Sequence, residues 1–352
     1  MKKVYNITIL WGTDGFGKWL AQFILKEFSQ DVSLTITGRN ISKWENVSKQ
    51  LWVQFMSDNI SAVKSADIVI YSTPISQTQN IIKETLPHIA PWTIVSDVTS
   101  IKWFPARAMQ ARDDIIVVPT HPMFGPYISS ISGQVVVLTP EESVQNTPEY
   151  VFLKKYLESK QAKVIESTSK YHDKMMAVVQ GLTHLNMFVI WETMKRLDFN
   201  ISKSMDFISP IYKLMASSVW RYLGQNPGLY ADIQMYNDEI LEVHNTFIDT
   251  AHNFRDSVKN KDYDKFCDDI VEAREFLWES NCQEGQEYTD KVIYMQWQQI
   301  DILKNSIWSP IGLKDIYSWE YIEGKLESYE NWNIFFPWGN IYTVDRYEVI
   351  AL

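Results

Sequence analysis

The β-branched stretch Val4–Leu10 runs into Gly12-Thr13-Asp14-Gly15-Phe16-Gly17, and the following Lys18-Trp19-Leu20-Ala21-Gln22-Phe23 has apolar residues at helical spacing. Strand, glycine turn and helix in that order suit a dinucleotide, because the free N–H groups at a helix N-terminus hold a pyrophosphate. Gly12 and Gly17 match the outer glycines of G-x-G-x-x-G, whereas Asp14 takes the middle position and Gly15 is displaced by one. A tight strand-to-helix turn that binds nothing is the alternative. About 20 residues further on, where an NAD site carries an acid for the ribose 2′-hydroxyl, stands Thr37-Gly38-Arg39-Asn40. An arginine without a carboxylate suits a 2′-phosphate and favours NADP over NAD, the alternative being a solvated surface arginine with NAD bound less selectively. The expected cofactor-binding set is Gly12, Thr13, Asp14, Gly15, Phe16, Gly17, Arg39 and Thr73.

These residues need a scaffold, and its pattern is legible. Short β-branched runs at Val4–Leu10, Leu34–Thr37, Ile68–Ser72, Thr93–Ser96, Ile115–Val118, Gln134–Leu138 and Ala162–Ile165 alternate with segments of helical spacing. Alternation of this kind predicts an α/β fold, a Rossmann-type mostly parallel sheet covered by helices. After Ser167 the strand signal ends, and Met175, Met176, Val179, Leu182, Leu185, Phe188 and Trp191 open a long stretch of helical periodicity. The expected division is 1–167 for dinucleotide binding, 168–305 for an all-α domain and 306–352 for an aromatic-rich tail. In that tail a Pro337-Trp338-Gly339-Asn340 turn between Ile334–Phe336 and Ile341–Val344 predicts a hairpin or an arm.

Composition narrows the partners. The 352 residues carry a formal net charge of −10, which repels phosphate backbones at long range and argues against nucleic acid. No apolar run approaches the roughly 20 residues of a membrane span. Cys267 and Cys282 are too few for a disulfide framework or a four-ligand zinc site, and no metal centre is expected. Two reduced thiols in a cytoplasmic protein is the expectation that follows.

Ser96-Asp97-Val98-Thr99-Ser100-Ile101-Lys102, Thr120-His121-Pro122-Met123-Phe124-Gly125-Pro126, and His172-Asp173 followed by Gln180-Gly181-Leu182-Thr183-His184 come next. With Ser209-Pro210-Ile211-Tyr212 and Gly224-Gln225-Asn226-Pro227-Gly228-Leu229-Tyr230, these stretches resemble the prephenate/arogenate dehydrogenase family over roughly residues 4 to 300. The resemblance implies NADP- or NAD-dependent oxidative decarboxylation of prephenate or a close cyclohexadienyl analogue, arogenate or 4-amino-4-deoxyprephenate among them. It also implies a helical domain that forms a homodimer. By the same resemblance His121 is the general base for the ring 4-hydroxyl, a task suited to a group that titrates near neutrality. A loop histidine held for structure is the alternative. Ser100 is expected beside that histidine or as the N-cap of a helix opening at Ile101-Lys102. His184 is carried over as a catalytic residue near the substrate. His172, twelve residues earlier, would stand about 120° away on one straight helix and is read as a capping or packing residue. Arg221 matches the family arginine that grips a substrate carboxylate, against the alternative of a helix-surface ion pair. Lys213 stands where relatives often carry another arginine, and Gln180 and Tyr230 complete the expected substrate-binding set. Trp11 departs from the family, in which a small residue or glycine often precedes Gly12. Competing readings are a β-hydroxyacid-type reductase, which leaves the His121 and His184 segments unexplained, and a non-catalytic dinucleotide-binding regulator.

Overall fold

The computed structural model describes residues 4–12, 15–204, 207–316, 320–330 and 333–352, so Thr13 and Asp14 of the expected cofactor set lie outside the described residues. Contacts divide the chain into two compact units, Met1–Ile248 and Asp249–Leu352. The first unit begins with β1 (Tyr5–Leu10), α1 (Gly15–Phe28), β2 (Val32–Thr37), α2 (Ile41–Leu51), β3 (Gln54–Met56) and α3 (Asn59–Val63). It continues through β4 (Ile68–Tyr71), α4 (Ile75–Thr85), β5 (Ile94–Asp97), α5 (Trp103–Met109) and β6 (Ile116–Val117).

These strands form a six-stranded parallel sheet in the order β3-β2-β1-β4-β5-β6. The order reverses direction at β1, so a crevice opens beyond the carboxyl ends of β1 and β4, where such sheets bind ligands. Both faces are covered. Ile7, Ile9, Leu34 and Ile36 pack with Ala21 and Ile24 of α1, while Leu10, Val69, Tyr71 and Val95 pack with Ile81, Ile82 and Met109 on α4 and α5. Two-sided burial explains why these strands read as continuous β-branched runs.

A second sheet follows, built of β7 (Thr120–Pro122), β8 (Val135–Leu138) and, after α6 (Pro148–Ser159), β9 (Lys163–Glu166). Here β7 is antiparallel to β8 and β8 is parallel to β9. The expected runs at Gln134–Leu138 and Ala162–Ile165 are thus strands of a separate sheet. Two strands escaped the sequence pattern, β3 and β7, because three residues are too few to show alternation and β7 ends in a proline.

From Thr168 onward the first unit is helical: α7 (Ser169–Met176), a π-helical turn (Ala177–Leu182), α8 (Thr183–Arg196), α9 (Ile201–Ser204), α10 (Pro210–Leu223), α11 (Pro227–Tyr236) and the start of α12 (Ile240–Asn260). Thr168, Ser209 and Asn226 cap α7, α10 and α11, and proline occupies the first turn of the last two, as the cap and proline preferences require. The π turn breaks the helical phase between His172 and His184, so the straight-helix geometry expected from sequence does not apply.

The boundary between these contact-defined units falls within α12. The second unit contains the rest of α12, α13 (Tyr263–Leu277) and α14 (Glu279–Asn305), then β10 (Pro310–Asp315), β11 (Tyr321–Lys325), β12 (Ser328–Glu330), β13 (Asn333–Phe335), β14 (Ile341–Thr343) and β15 (Tyr347–Ala351). The expected hairpin is present as β13 paired with β14, Phe335 opposite Ile341, but it belongs to a larger β module. Two three-stranded sheets enclose Ile311, Leu313, Leu326, Ile334, Phe336 and Val349, joined by Leu303 of α14. Among the described residues no helix is long and apolar enough to cross a membrane.

Candidate active site

The glycine turn is built by close approach. A Cβ on Gly17 would meet the Trp11 carbonyl oxygen at 2.7 Å and the Gly12 Cα at 2.8 Å, contacts no side chain tolerates. Glycine at 17 lets α1 start hard against the end of β1, and the first turn of α1 carries no acidic residue. Phe16 lies on Trp19 and Phe124 at ring distances of 5.1 and 5.8 Å. At the end of β2, Thr37 Oγ1 accepts from the Trp11 N–H at 3.3 Å, and the Arg39 guanidinium lies 4.1 Å from the centre of the Trp11 ring. Thr73, just past β4, is buried and shares a hydroxyl hydrogen bond of 2.8 Å with Thr78. A first turn of α1 without an acidic residue and an arginine just past the end of β2 fit a dinucleotide phosphate.

His121 is central in β7 and 3% exposed. Its Nδ1 lies 2.8 Å from Nε2 of His172, whose Nδ1 lies 2.7 Å from Asp173 Oδ1. Asp173 accepts two further bonds of 2.8 Å, from the backbone N–H groups of Lys102 and Trp103 at the start of α5, and its own carbonyl accepts from Asn237 Nδ2. The carboxylate has no proton to give, so it holds the Nδ1 proton of neutral His172 and leaves the His172 Nε2 lone pair to accept from His121. His121 is thereby the Nδ1–H tautomer, with the lone pair on Nε2. Burial, the neighbouring His172 and the Lys102 charge hold the His121 pKa well below the ordinary histidine value.

Lys102 ties this assembly to β5. Its fully buried ammonium donates to Asp97 Oδ2 and to the Thr120 carbonyl at 2.7 Å, and Asp97 Oδ2 also accepts from Thr99 N and Oγ1. Burial pulls the Lys102 pKa down and the Asp97 charge opposes that pull. A buried ammonium is tolerated because the carboxylate and carbonyl replace its water.

His184 occupies a different environment. It is buried in α8 with its ring 4.9 Å from Tyr230 and 5.1 Å from Tyr222. Its Nδ1 has no hydrogen-bond partner, and burial lowers its pKa to about 4. Tyr230 donates to Gln225 Oε1 at 2.8 Å, and burial raises its pKa to about 12 while Arg221 opposes the rise. Gln180, in the π turn, and Gln234, in α11, each keep a buried Oε1 without a partner, although Gln234 donates to the Gly181 carbonyl. Arg221 lies exposed in the last turn of α10, and Lys213 lies half-buried near the start of that helix.

Two expectations are corrected. His172 is no mere cap or packing residue, since it contacts the His121 ring directly, and the signal available in sequence was the adjacent carboxylate of Asp173. Ser100 is not an N-cap, because α5 begins at Trp103 with Lys102 in the capping position, and Ser100 lies in the preceding bend without a hydrogen bond of its own. Asp97 and Lys102, quoted only as part of a motif, are the buried pair beneath the histidines. Among the described residues no group of three or more potential metal ligands occurs.

Residues 24–166 match the profile described as prephenate dehydrogenase, nucleotide-binding domain, and residues 168–272 match prephenate dehydrogenase, dimerization domain. A probable arogenate/prephenate dehydrogenase of Methanocaldococcus jannaschii is 41% identical over 315 residues, 89% of this chain and 70% of that one. The T-protein of Haemophilus influenzae is 30% identical over 217 residues, 62% of this chain and 57% of its own length. The crystal structure of prephenate dehydrogenase from A. aeolicus, in complex with hydroxyphenyl propionate and NAD+, shares the fold with a TM-score of 0.61 at 16% identity, covering 77% of this chain and 96% of that one.

Proposed function

The chain belongs to the prephenate dehydrogenase family of oxidoreductases, and from that premise we propose that it oxidatively decarboxylates prephenate or a close cyclohexadienyl relative with His121 as the general base. The observation that carries the assignment is the His121–His172–Asp173 chain of hydrogen bonds. It leaves the basic lone pair on His121 Nε2, and low pKa keeps that nitrogen unprotonated at neutral pH. His121 takes the proton of the substrate 4-hydroxyl, and the imidazolium so formed is stabilised through His172 by the Asp173 carboxylate. A bound nicotinamide dinucleotide supplies the hydride acceptor, after which loss of the ring carboxylate leaves an aromatic product. Positioned bases of this kind contribute ~10²–10⁴-fold in rate.

The turn at Gly12, Gly15 and Gly17 and the N-terminus of α1 hold the pyrophosphate, with Phe16 and Thr73 along the crevice. Arg39 meets the 2′-phosphate, which makes NADP the preferred cofactor. Arg221 offers its planar fork to a substrate carboxylate, and Lys213 a second cation. Gln180, Tyr230 and neutral His184 give polar contacts, and Ser100 stands on the loop leading to α5. A homodimer through the helical region accounts for the apolar side chains exposed there, among them Phe207, Ile211, Trp220, Leu229 and Met235.

The test is spectrophotometric. Purified protein is offered NADP or NAD with prephenate, arogenate and 4-amino-4-deoxyprephenate in parallel, and turnover of one of them is expected. Silence with all three removes the reaction. Arg39→Ala raises the KM for NADP and leaves that for NAD unchanged if the 2′-phosphate assignment holds; equal effects on both remove it.

A further inference from the structure

Eight non-glycine residues among those described have positive φ, and five of them are tryptophan: Trp11, Trp52, Trp92, Trp278 and Trp308, with φ of 63°, 56°, 66°, 65° and 64°. A bulky L residue is a steric outlier in this region, which belongs to glycine. Each local motif asks for glycine as well. Trp52 follows α2 as the left-handed residue of a Schellman-type stop, closed by the Val53 N–H donating to the Ser48 carbonyl at 3.1 Å. Trp92 and Trp308 are third residues of turns closed by Thr93 N to Ala90 O and Ser309 N to Ser306 O, and the first has Pro91 ahead of it, the Pro-Gly pattern of a type II turn. Trp278, at φ 65° and ψ 140°, joins α13 to α14 in a conformation outside the left-handed helical well. Trp11 stands at the start of the dinucleotide turn, ahead of Gly12.

Four of the five indoles do little where they are. Trp52, Trp92, Trp278 and Trp308 are 94%, 78%, 71% and 58% exposed; Trp308 faces the Lys325 ammonium at 5.7 Å, while Trp11, half-buried, lies against the Leu10 cluster and under Arg39. Trp19, in right-handed helix, is the contrast: it stacks on Phe23 and donates to the Ile128 carbonyl at 2.9 Å. Composition points the same way, since the chain has 14 tryptophans but only 13 glycines, where usual glycine content of about 7% would give roughly 25.

We infer that these five positions carry glycine in the polypeptide made by its own cell, each encoded by UGA, a triplet that some translation systems read as tryptophan and others as glycine. Position 11 then belongs to the cofactor site. β1 then runs into two consecutive glycines, and the face of Arg39 that the Trp11 indole covers is freed for a ligand phosphate. The inference stands on backbone geometry and does not need the proposed reaction.

Three readouts test it. The gene should carry UGA at all five positions and UGG at Trp19; UGG at any of the five overturns the assignment for the set. Peptide masses of the protein from its native cell should give glycine at all five and tryptophan at Trp19, and tryptophan at any of the five overturns it. Recombinant protein carrying Trp11→Gly, Trp52→Gly, Trp92→Gly, Trp278→Gly and Trp308→Gly together should unfold at a higher temperature than the tryptophan form, whereas Trp19→Gly should unfold lower. An unchanged or lower midpoint for the five-glycine protein overturns the claim that the fold was built on glycine there.

Discussion

The surroundings of His121 and of His184 are both buried, yet their polar groups are in opposite states. Around His121 the donors and acceptors are partnered: Nδ1 by His172, the Asp173 carboxylate by three donors, the Lys102 ammonium by Asp97 and Thr120, with Asp97 Oδ1 as the exception. His184 Nδ1, beside the Tyr222 and Tyr230 rings, has no partner, and neither do the buried Oε1 atoms of Gln180 and Gln234. A network partnered at the histidines themselves holds one protonation pattern and one orientation, which is what a proton-transfer group needs. Buried acceptors without partners are costly unless a ligand satisfies them, which is what a binding surface needs. On the proposed function, the difference separates proton transfer from recognition.

That separation makes ordered predictions. His121→Asn removes the base and should lower kcat by ~10²–10⁴-fold while dinucleotide affinity stays near wild type; near wild-type turnover would sink the assignment. Breaking the relay one step back, His172→Gln or Asp173→Asn should also lower kcat, by freeing the His121 tautomer. Here a KM change without a kcat change would move His172 into the recognition group.

Replacing the buried pair together, Lys102→Met with Asp97→Asn, removes a positive charge that depresses the His121 pKa. The acid limb of kcat/KM should then move to higher pH, and an unmoved limb would show that the charge does not reach His121. On the other side, His184→Phe should raise KM several-fold with little change in kcat. The smallest expected effect is on stability. With His184 near 4 when folded and near the ordinary 6.5 when unfolded, the unfolded chain binds the extra proton between those values, so stability falls as pH falls through that window. His184→Phe should flatten that slope by about one proton, and an unchanged slope would mean that His184 titrates normally.

Residues contributed by one local segment were the most readable. Gly12 and Gly17 announced the turn because strand, turn and helix are contiguous, and Arg39 could be found by counting from them. The helical caps at Ser209-Pro210 and Asn226-Pro227 were legible for the same reason. His172 was misread because a straight helix was assumed across residues 177 to 182, where a π turn occurs. The β module after Ser309 was visible only as its hairpin, since β10 pairs with β15 across more than thirty residues of intervening chain.

The sequence by itself determined the parallel sheet, the helical region that follows it and the glycine turn between β1 and α1, and it singled out the His121 segment. These rest on periodicity and on short-range steric rules that act within a few residues of chain. Only the tertiary structure decided which nitrogen of His121 is basic, because the groups that settle it lie 51 and 52 residues away on α7. Only the structure, too, paired Lys102 with the Thr120 carbonyl and left His184 Nδ1 buried without a partner. Hydrogen-bond direction and desolvation depend on what surrounds a group in space, and a linear pattern does not contain that information.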